Sequence, residues 1–172
     1  LNDRLAQVRR QIEDIERRSK ALRESFTNAR RVVDFAAESD VLGNVLLAYW
    51  SEVDNFKPAK STVDLSRETA ETVINRIKME ESLKQLSSST TAVNRALESE
   101  NIDPHTLSSS THAALLELVG AYRQRLRSTI ETQSDLIEAV SRLGDSSQSL
   151  SRSAREYEVF LKGMIIWIPA FP

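Results

Sequence analysis

A heptad repeat through the last third of the chain constrains its fold most strongly. Residues on one helical face recur at steps of three and four from Leu115 to Ile168, with one extra four-residue step at Tyr122. This seam consists of Leu115, Leu118, Tyr122, Leu126, Thr129, Gln133, Leu136, Val140, Leu143, Ser147, Leu150, Ala154, Tyr157, Leu161, Met164 and Ile168. It predicts a single long helix packed against partner helices. A helix from about Thr111 to Lys162 would be roughly 75 to 80 Å long, so it needs partners of similar length.

The composition agrees with a fold made of a few long helices. The 172 residues are 6% aromatic and 28% charged, with four glycines and four prolines, which describes a thin helical assembly better than a thick globular core. The formal charge is -2 with both signs interleaved, which argues against a nucleic-acid partner. The sequence has no cysteine, so disulfides and thiolate metal sites are excluded, and both cytosol and periplasm stay open.

The first residue already lies in phase with a heptad pattern. Because residue 1 is a leucine, we expect the chain to be a piece cut from a longer polypeptide. No charged-then-apolar signal segment is present, and the longest apolar run, around Ile165 to Ile168, is far shorter than the roughly 20 residues that cross a bilayer. We therefore expect the piece to be soluble by itself.

A second seam predicts a first helix over about residues 1 to 36. It consists of Leu1, Leu5, Val8, Ile12, Ile15, Ser19, Leu22, Phe26, Ala29, Val33 and Ala36. After it, Ser39 or Asp40 is expected to cap a short helix that extends to Phe56 and ends at Pro58. The chain then predicts a third helical segment from Ser61 or Asp64 to about Ser99, continuous through the serine-rich residues 87 to 91 and held there by packing.

Four residues of the short helix are predicted to pack at a helix corner: Leu42, Gly43, Leu46 and Trp50. Gly43 lacks a side chain, which permits a close helix approach or a bend. Trp50 suggests a ligand shelf on so aromatic-poor a chain, but core packing is the favoured interpretation.

Turn-forming residues mark the clearest break of the chain, from Glu98 to Ser110, where Asn101, Asp103-Pro104 and three consecutive serines occur. The last helix then contains Gly144. Because Leu143 and Leu150 keep the same heptad phase across this glycine, we predict a continuous helix with a local cost on the order of 1 kcal/mol relative to alanine.

Residues that could support catalysis or metal binding are sparse. His105 and His112 are seven residues apart near the break, not at the i,i+4 spacing that places two imidazoles on one helix face, so we expect them in a surface loop. The sequence has no Gly-rich phosphate loop, and its serines lack a neighbouring base. We therefore predict a non-enzymatic protein without cofactors.

Polar residues interrupt the two seams at Ser19, Thr129, Gln133 and Ser147. Leucine or isoleucine would be more stable at these positions, so the polar side chains fix the helix register, permit the helices to slide, or are tolerated imperfections.

Two passages resemble a known family. Leu42-Gly43 followed by Leu46 and then by Phe56-Lys57-Pro58 resembles a "Leu-Gly, Leu, then Leu-Pro" passage, and Tyr157, Leu161 and Ile165-Ile166-Trp167-Ile168 resemble a "Tyr, Leu, Leu-Leu-Trp-Val" passage. Both passages occur in the periplasmic helical region of large MscS-superfamily mechanosensitive channels, the MscK (KefA) and MscM-like proteins. The chain departs from them at Phe56 and Gly163, and in the two isoleucines that replace leucines.

The resemblance implies a periplasmic coiled-coil domain of a bacterial inner-membrane channel that acts in osmotic stress. It implies that the rest of the channel is the partner of this domain and that other envelope components are further candidates. It also implies that the residues that line the pore lie outside this chain. Ile165, Ile166, Trp167 and Ile168 would then form a membrane-proximal junction, because tryptophan is favoured at the headgroup level.

The expected fold is all-α: an elongated antiparallel bundle of three long helices plus one short helix over residues 1 to 162, with the junction at residues 163 to 172. Self-association through leftover seam surface is compatible with the heptads. Two other functions stay open: a ligand-sensing helical bundle of a bacterial receptor, with its pocket near Trp50, and a cytosolic coiled-coil scaffold.

Overall fold

The computed structural model describes residues 1–36, 42–56, 62–86, 88–103 and 106–166. Within these ranges the chain is all-α, as predicted. Its elements are α1 (Asn2–Ala36), α2 (Leu42–Glu52) with a 3₁₀ turn after it (Val53–Phe56), α3 (Thr62–Gln85), α4 (Ser89–Ser99) and α5 (Ser109–Ile166). The expected caps at Ser39 or Asp40 and the stop at Pro58 lie outside the described residues.

The two helices predicted from heptad seams are confirmed. Helix α1 has 35 residues and α5 has 58, and α5 passes through Gly144 without a break. A Cβ atom added at Gly144 would meet no other atom within 4 Å. This glycine therefore costs helix propensity without serving a close contact, and the packing of the seam outweighs a cost of about 1 kcal/mol.

The third segment is two helices, and the prediction of a continuous helix through residues 87 to 91 is wrong. Helix α3 ends at Gln85, and Ser88 has an extended backbone with φ -133° and ψ 153°. The Ser88 hydroxyl oxygen accepts a hydrogen bond of 3.0 Å from the backbone N–H of Thr91. Serine side chains compete in this way for backbone donors, so Ser88 starts α4 as its N-cap.

The predicted break after α4 is confirmed, and Asn101 forms it. Asn101 has φ 56°, in the left-handed region where asparagine is tolerated. Its N–H donates to the carbonyl of Glu98 at 3.1 Å, and the N–H of Ile102 donates to the carbonyl of Leu97 at 2.9 Å. These two bonds form a Schellman motif, which satisfies the last carbonyls of the helix.

Helix α5 then begins behind a second serine cap. The Ser108 hydroxyl oxygen accepts from the N–H of Thr111 at 3.1 Å, so one of the three consecutive serines is the cap that the sequence suggested. Pro104 and His105 of the same break lie outside the described residues.

Intrachain packing divides the chain into two compact units. Unit 1 comprises Leu1–Leu5 and Glu68–Glu138, and unit 2 comprises Ala6–Arg67 and Ala139–Pro172. Helices α1, α3 and α5 each contribute residues to both units.

Unit 2 has a continuous apolar core built from α1, α2, the 3₁₀ turn and α5. Its buried members are Leu22, Ala29, Leu42, Leu46, Val53, Leu150, Ala154, Tyr157 and Leu161. Nearly all of them come from the heptad positions of the two predicted seams or from the apolar face of α2. The seams therefore identify the core of this unit correctly.

Unit 1 buries a smaller set of side chains. The apolar ones are Leu5, Ala92, Val93, Leu97 and Leu136, and Thr72 and Gln133 are buried with them. The Arg4 guanidinium donates to both carboxylate oxygens of Glu68, and this hydrogen bonding raises the pKa of Arg4. The two-pronged contact fixes the first turn of α1 against α3.

Candidate functional site

The helix corner predicted at α2 packs on the unit 2 core. Leu42 and Leu46 are buried, and Tyr49 and Trp50 lie half-buried against the same core. Gly43 is the second residue of α2 and is half-buried. Trp50 thus has an apolar environment on one side, as the core-packing interpretation expects.

A buried tyrosine anchors the C-terminal part of α5 to α1. Tyr157 has no exposed surface, and its hydroxyl lies 3.0 Å from the Ser25 hydroxyl. Burial raises the pKa of Tyr157, the hydrogen bond to Ser25 partly offsets this effect, and the neighbouring Tyr49 and Glu52 raise it further. The phenol is therefore held neutral, with its one polar atom satisfied inside the core.

Aromatic rings and one cation extend this anchor. The Phe26 ring centroid lies 5.0 Å from that of Tyr157 and 5.2 Å from that of Phe160. The Arg30 guanidinium carbon lies 4.3 Å from the Phe26 centroid and 5.8 Å from the Phe160 centroid, within the range of cation–π contacts. Phe26 and Tyr157 are seam residues, but Arg30 and Phe160 were not singled out from the sequence. The i,i+4 spacing of Phe26 and Arg30 is the signal that could have identified this contact.

The apolar tail of α5 is divided between core and solvent. Met164 and Ile165 are partly buried and pack against the unit 2 core, whereas Ile166 is 71% exposed. Trp167 and Ile168, the other two residues of the predicted junction, lie outside the described residues. An exposed isoleucine therefore follows directly on a tightly packed seam.

The four polar seam residues differ in burial. Ser147 is 2% and Gln133 5% exposed, while Ser19 and Thr129 are half-buried. The Thr129 hydroxyl donates to the carbonyl of Arg125 at 2.8 Å. By contrast, Gln133 Oε1 is buried and has no hydrogen-bond partner in the described part of the chain.

Unit 1 contains a cleft that no motif in the sequence suggested. It is open to solvent, has a volume of about 360 Å³, and is lined by Glu80, Leu83, Lys84, Arg123, Arg127 and Ile130. Arg123 makes a long hydrogen bond of 3.5 Å to the Ser89 hydroxyl. Residues 80 to 84 of α3 and residues 123 to 130 of α5 are far apart in sequence, so only the fold brings them together.

Histidine and carboxylate positions give no reactive constellation in the described residues. His112 lies in the first turns of α5 and is half-buried, so its predicted place in a surface loop is wrong, and His105 lies outside the described ranges. Across those ranges, three potential metal ligands nowhere come close enough to share an ion. None of the described helices has a stretch long and apolar enough to span a membrane.

Comparisons with known proteins give no assignment: neither a protein-family model, nor a curated protein, nor a solved structure matched this chain.

Proposed function

We propose that this chain is a non-catalytic periplasmic domain of an MscS-type mechanosensitive channel. In this role it is a helical strut that stands next to the inner membrane and biases gating during osmotic stress. The resemblance of the Leu42–Pro58 and Tyr157–Ile168 passages to the MscK (KefA) and MscM-like proteins motivates the proposal. Its partners are the remainder of the channel, and other envelope components are additional candidates.

Helix α5 supplies the observation that supports this function best. Its seam is buried at Leu150, Ala154, Tyr157 and Leu161, and the same unbroken helix continues to the exposed Ile166. A rigid helix whose packed seam leads without a loop into apolar residues is suited to carry force between a helical domain and a lipid surface.

The arrangement that we propose for the whole domain is an elongated antiparallel bundle. Contacts within unit 1 support it, because Ser89 lies near Gly120 and Arg123 while Leu83 lines a cleft with Ile130. Residue numbers thus fall from Ser89 to Leu83 as they rise from Gly120 to Ile130 on α5, which is the antiparallel sense. Small-angle X-ray scattering tests the arrangement, and a compact globular radius of gyration contradicts it.

Patch-clamp recording of the intact parent channel tests the coupling between domain and pore. We expect a channel that lacks residues 1 to 162 to insert into the membrane and to open at an altered membrane tension. An unchanged tension threshold contradicts the coupling. The parent sequence gives an independent check, because the proposal requires several hydrophobic spans of about 20 residues after Pro172.

Two single substitutions on α5 test whether the change in tension threshold depends on the junction residue Ile166. Ile166→Ser removes an exposed apolar side chain of the junction, and we expect it to shift the tension threshold. Val159→Ser is the matched control, since Val159 is 66% exposed on the same helix of the same unit but precedes the tail. Equal shifts of the tension threshold in both variants would contradict the membrane-proximal role of Ile166.

A further inference from the structure

The cleft of unit 1 combines positively charged and apolar side chains in one lining. Lys84, Arg123 and Arg127 line it together with one carboxylate, that of Glu80. Glu80 is an ion-pair partner of Arg76, whose Nε lies 3.3 Å from Glu80 Oε1. The single negative charge of the lining is therefore compensated from outside the cleft, and three cationic side chains remain around it.

Two of these cations are available to a ligand. In the part of the chain that the structure describes, the Lys84 ammonium and the Arg127 guanidinium make neither an ion pair nor a hydrogen bond, and both side chains are exposed. Many other charged side chains of α1 and α3 have partners, as Arg4, Arg18 and Arg76 do. Like charges gathered without a counter-ion raise the local concentration of anions.

The apolar part of the lining restricts which anion fits. Leu83 and Ile130 are both half-buried and form the uncharged portion of the lining. The volume of about 360 Å³ lies within the range of small-molecule sites, which combine apolar walls with a few placed polar groups. A bare inorganic anion would leave Leu83 and Ile130 uncovered, whereas a neutral apolar molecule would leave Lys84 and Arg127 without a counter-charge.

We propose that this cleft binds a small amphiphilic anion, with a phosphate or carboxylate group held by Lys84, Arg127 and Arg123 and a short apolar chain resting on Leu83 and Ile130. Arginine and lysine both suit this task, because arginine offers a planar pair of donors and lysine a compact charge. The site belongs to unit 1 and does not depend on the proposed channel function, so either proposal can fail without the other.

Isothermal titration calorimetry on the 172-residue chain at low salt tests the site with octyl phosphate below its micelle concentration. A ligand of about 13 non-hydrogen atoms at roughly 0.3 kcal/mol per atom gives a dissociation constant on the order of 1 mM. Inorganic phosphate and octyl glucoside are the two partial probes. We expect phosphate to bind at least roughly tenfold more weakly, and octyl glucoside not to saturate.

Substitutions of the unpaired cations assign the binding to the cleft. Lys84→Ala and Arg127→Ala should each weaken octyl phosphate binding roughly three- to tenfold, because each removes one charged contact at an exposed site. Arg125→Ala is the matched control, with the same charge change on an exposed side chain of α5 outside the lining, and it should leave affinity within about twofold. Lys84→Gln and Arg127→Gln replace the alanine variants if circular dichroism shows that these lose helix.

Three results would overturn the proposal. They are the absence of saturable binding by octyl phosphate, equal affinity for octyl glucoside, and equal losses of affinity in the Arg125 control and the cleft variants. A fourth result would be that inorganic phosphate binds as tightly as octyl phosphate. It would mean that the apolar chain contributes nothing to binding, and it would contradict an amphiphilic ligand.

Discussion

Two buried polar side chains of α5 illustrate opposite solutions to the same problem. Tyr157 is fully buried and satisfies its hydroxyl with Ser25. Gln133 is 5% exposed, and its Oε1 has no partner in the described residues. Burying a polar atom costs free energy unless a hydrogen bond replaces its water. The Tyr157 hydroxyl therefore keeps a hydrogen bond inside its unit, whereas the unpaired Oε1 atom of Gln133 carries a desolvation cost.

Replacing Gln133 by leucine should stabilise the protein. The change removes an unsatisfied buried acceptor and adds apolar contact, so we expect the free energy of unfolding to rise by about 1 to 2 kcal/mol. Urea unfolding measures it. Thr129→Leu is the control with a smaller gain, since the Thr129 hydroxyl is bonded to Arg125. If the free energy of unfolding does not rise in Gln133→Leu, the Oε1 atom of Gln133 has a hydrogen-bond partner in the wild-type protein in solution. Sedimentation velocity of the same variant tests whether Gln133 fixes the oligomeric state.

The raised pKa of Tyr157 predicts a pH dependence of stability. The folded state keeps the phenolic proton at a pH where the unfolded chain, with a tyrosine pKa of about 10, loses it. Stability from this group is therefore fully present below about pH 10 and falls as the pH rises above that value. At pH 8, Tyr157→Phe should cost about 0.5 to 1.5 kcal/mol for the lost hydrogen bond.

Urea unfolding between pH 8 and 11 checks this effect. The gap between the wild type and Tyr157→Phe should narrow above about pH 10, because the variant lacks the group that ionises. Tyr122→Phe, on a side chain that is 53% exposed, serves as the control and should follow the wild-type curve. Wild-type and Tyr157→Phe curves that stay parallel over the whole range would contradict the role of burial.

At the scale of the element, heptad spacing predicted the long helices because it is a local property of the sequence. Every residue buried between Gln133 and Leu161 is a position of the predicted seam. The break before α4 was not predicted, because it depends on tertiary contacts and not on local spacing alone. Serine has both a modest helix propensity and a strong capping preference, and tertiary context decides which one prevails at Ser88.

The end of α4 provides a prediction about a single element. Because Asn101 has φ 56°, a side chain with a Cβ but without asparagine's local hydrogen bonding should be strained there. We expect Asn101→Ala to lower the free energy of unfolding by about 1 kcal/mol and Asn101→Gly to leave it equal or slightly higher.

Asn94→Ala is the matched control for this prediction. Asn94 lies inside α4, where alanine is the better helix former, so the same chemical change should stabilise by roughly 0.5 kcal/mol. Thermal unfolding followed by circular dichroism measures all three variants. A loss of equal size at both asparagines would refute the assignment of Asn101 as the left-handed cap.

At the scale of the whole molecule, the sequence predicted the all-α class and the core of unit 2, but not the division of the chain into two units or the cleft. Periodicity states which face of a helix is buried, and it does not state which segments cover that face. The cleft lining of Lys84 and Arg127 comes from two helices without a shared motif, so no pattern along the chain could mark it.

The period of the buried stripe on α5 has a mechanical consequence. Within unit 2 the stripe runs from Val140 to Leu161 in steps of three and four, and an average of about 3.5 residues against the 3.6 of a straight helix makes it wind left-handed by roughly 20° per heptad. Over these three heptads it turns by about 60°. Helix α1 shares the core with this stripe through Leu22, Phe26 and Ala29, so we expect α1 to wind around α5 in the same sense. If the two helices coil around each other in this way, we expect axial tension to unwind them and to turn one end of the pair relative to the other, a rotation that single-molecule measurements under load can detect.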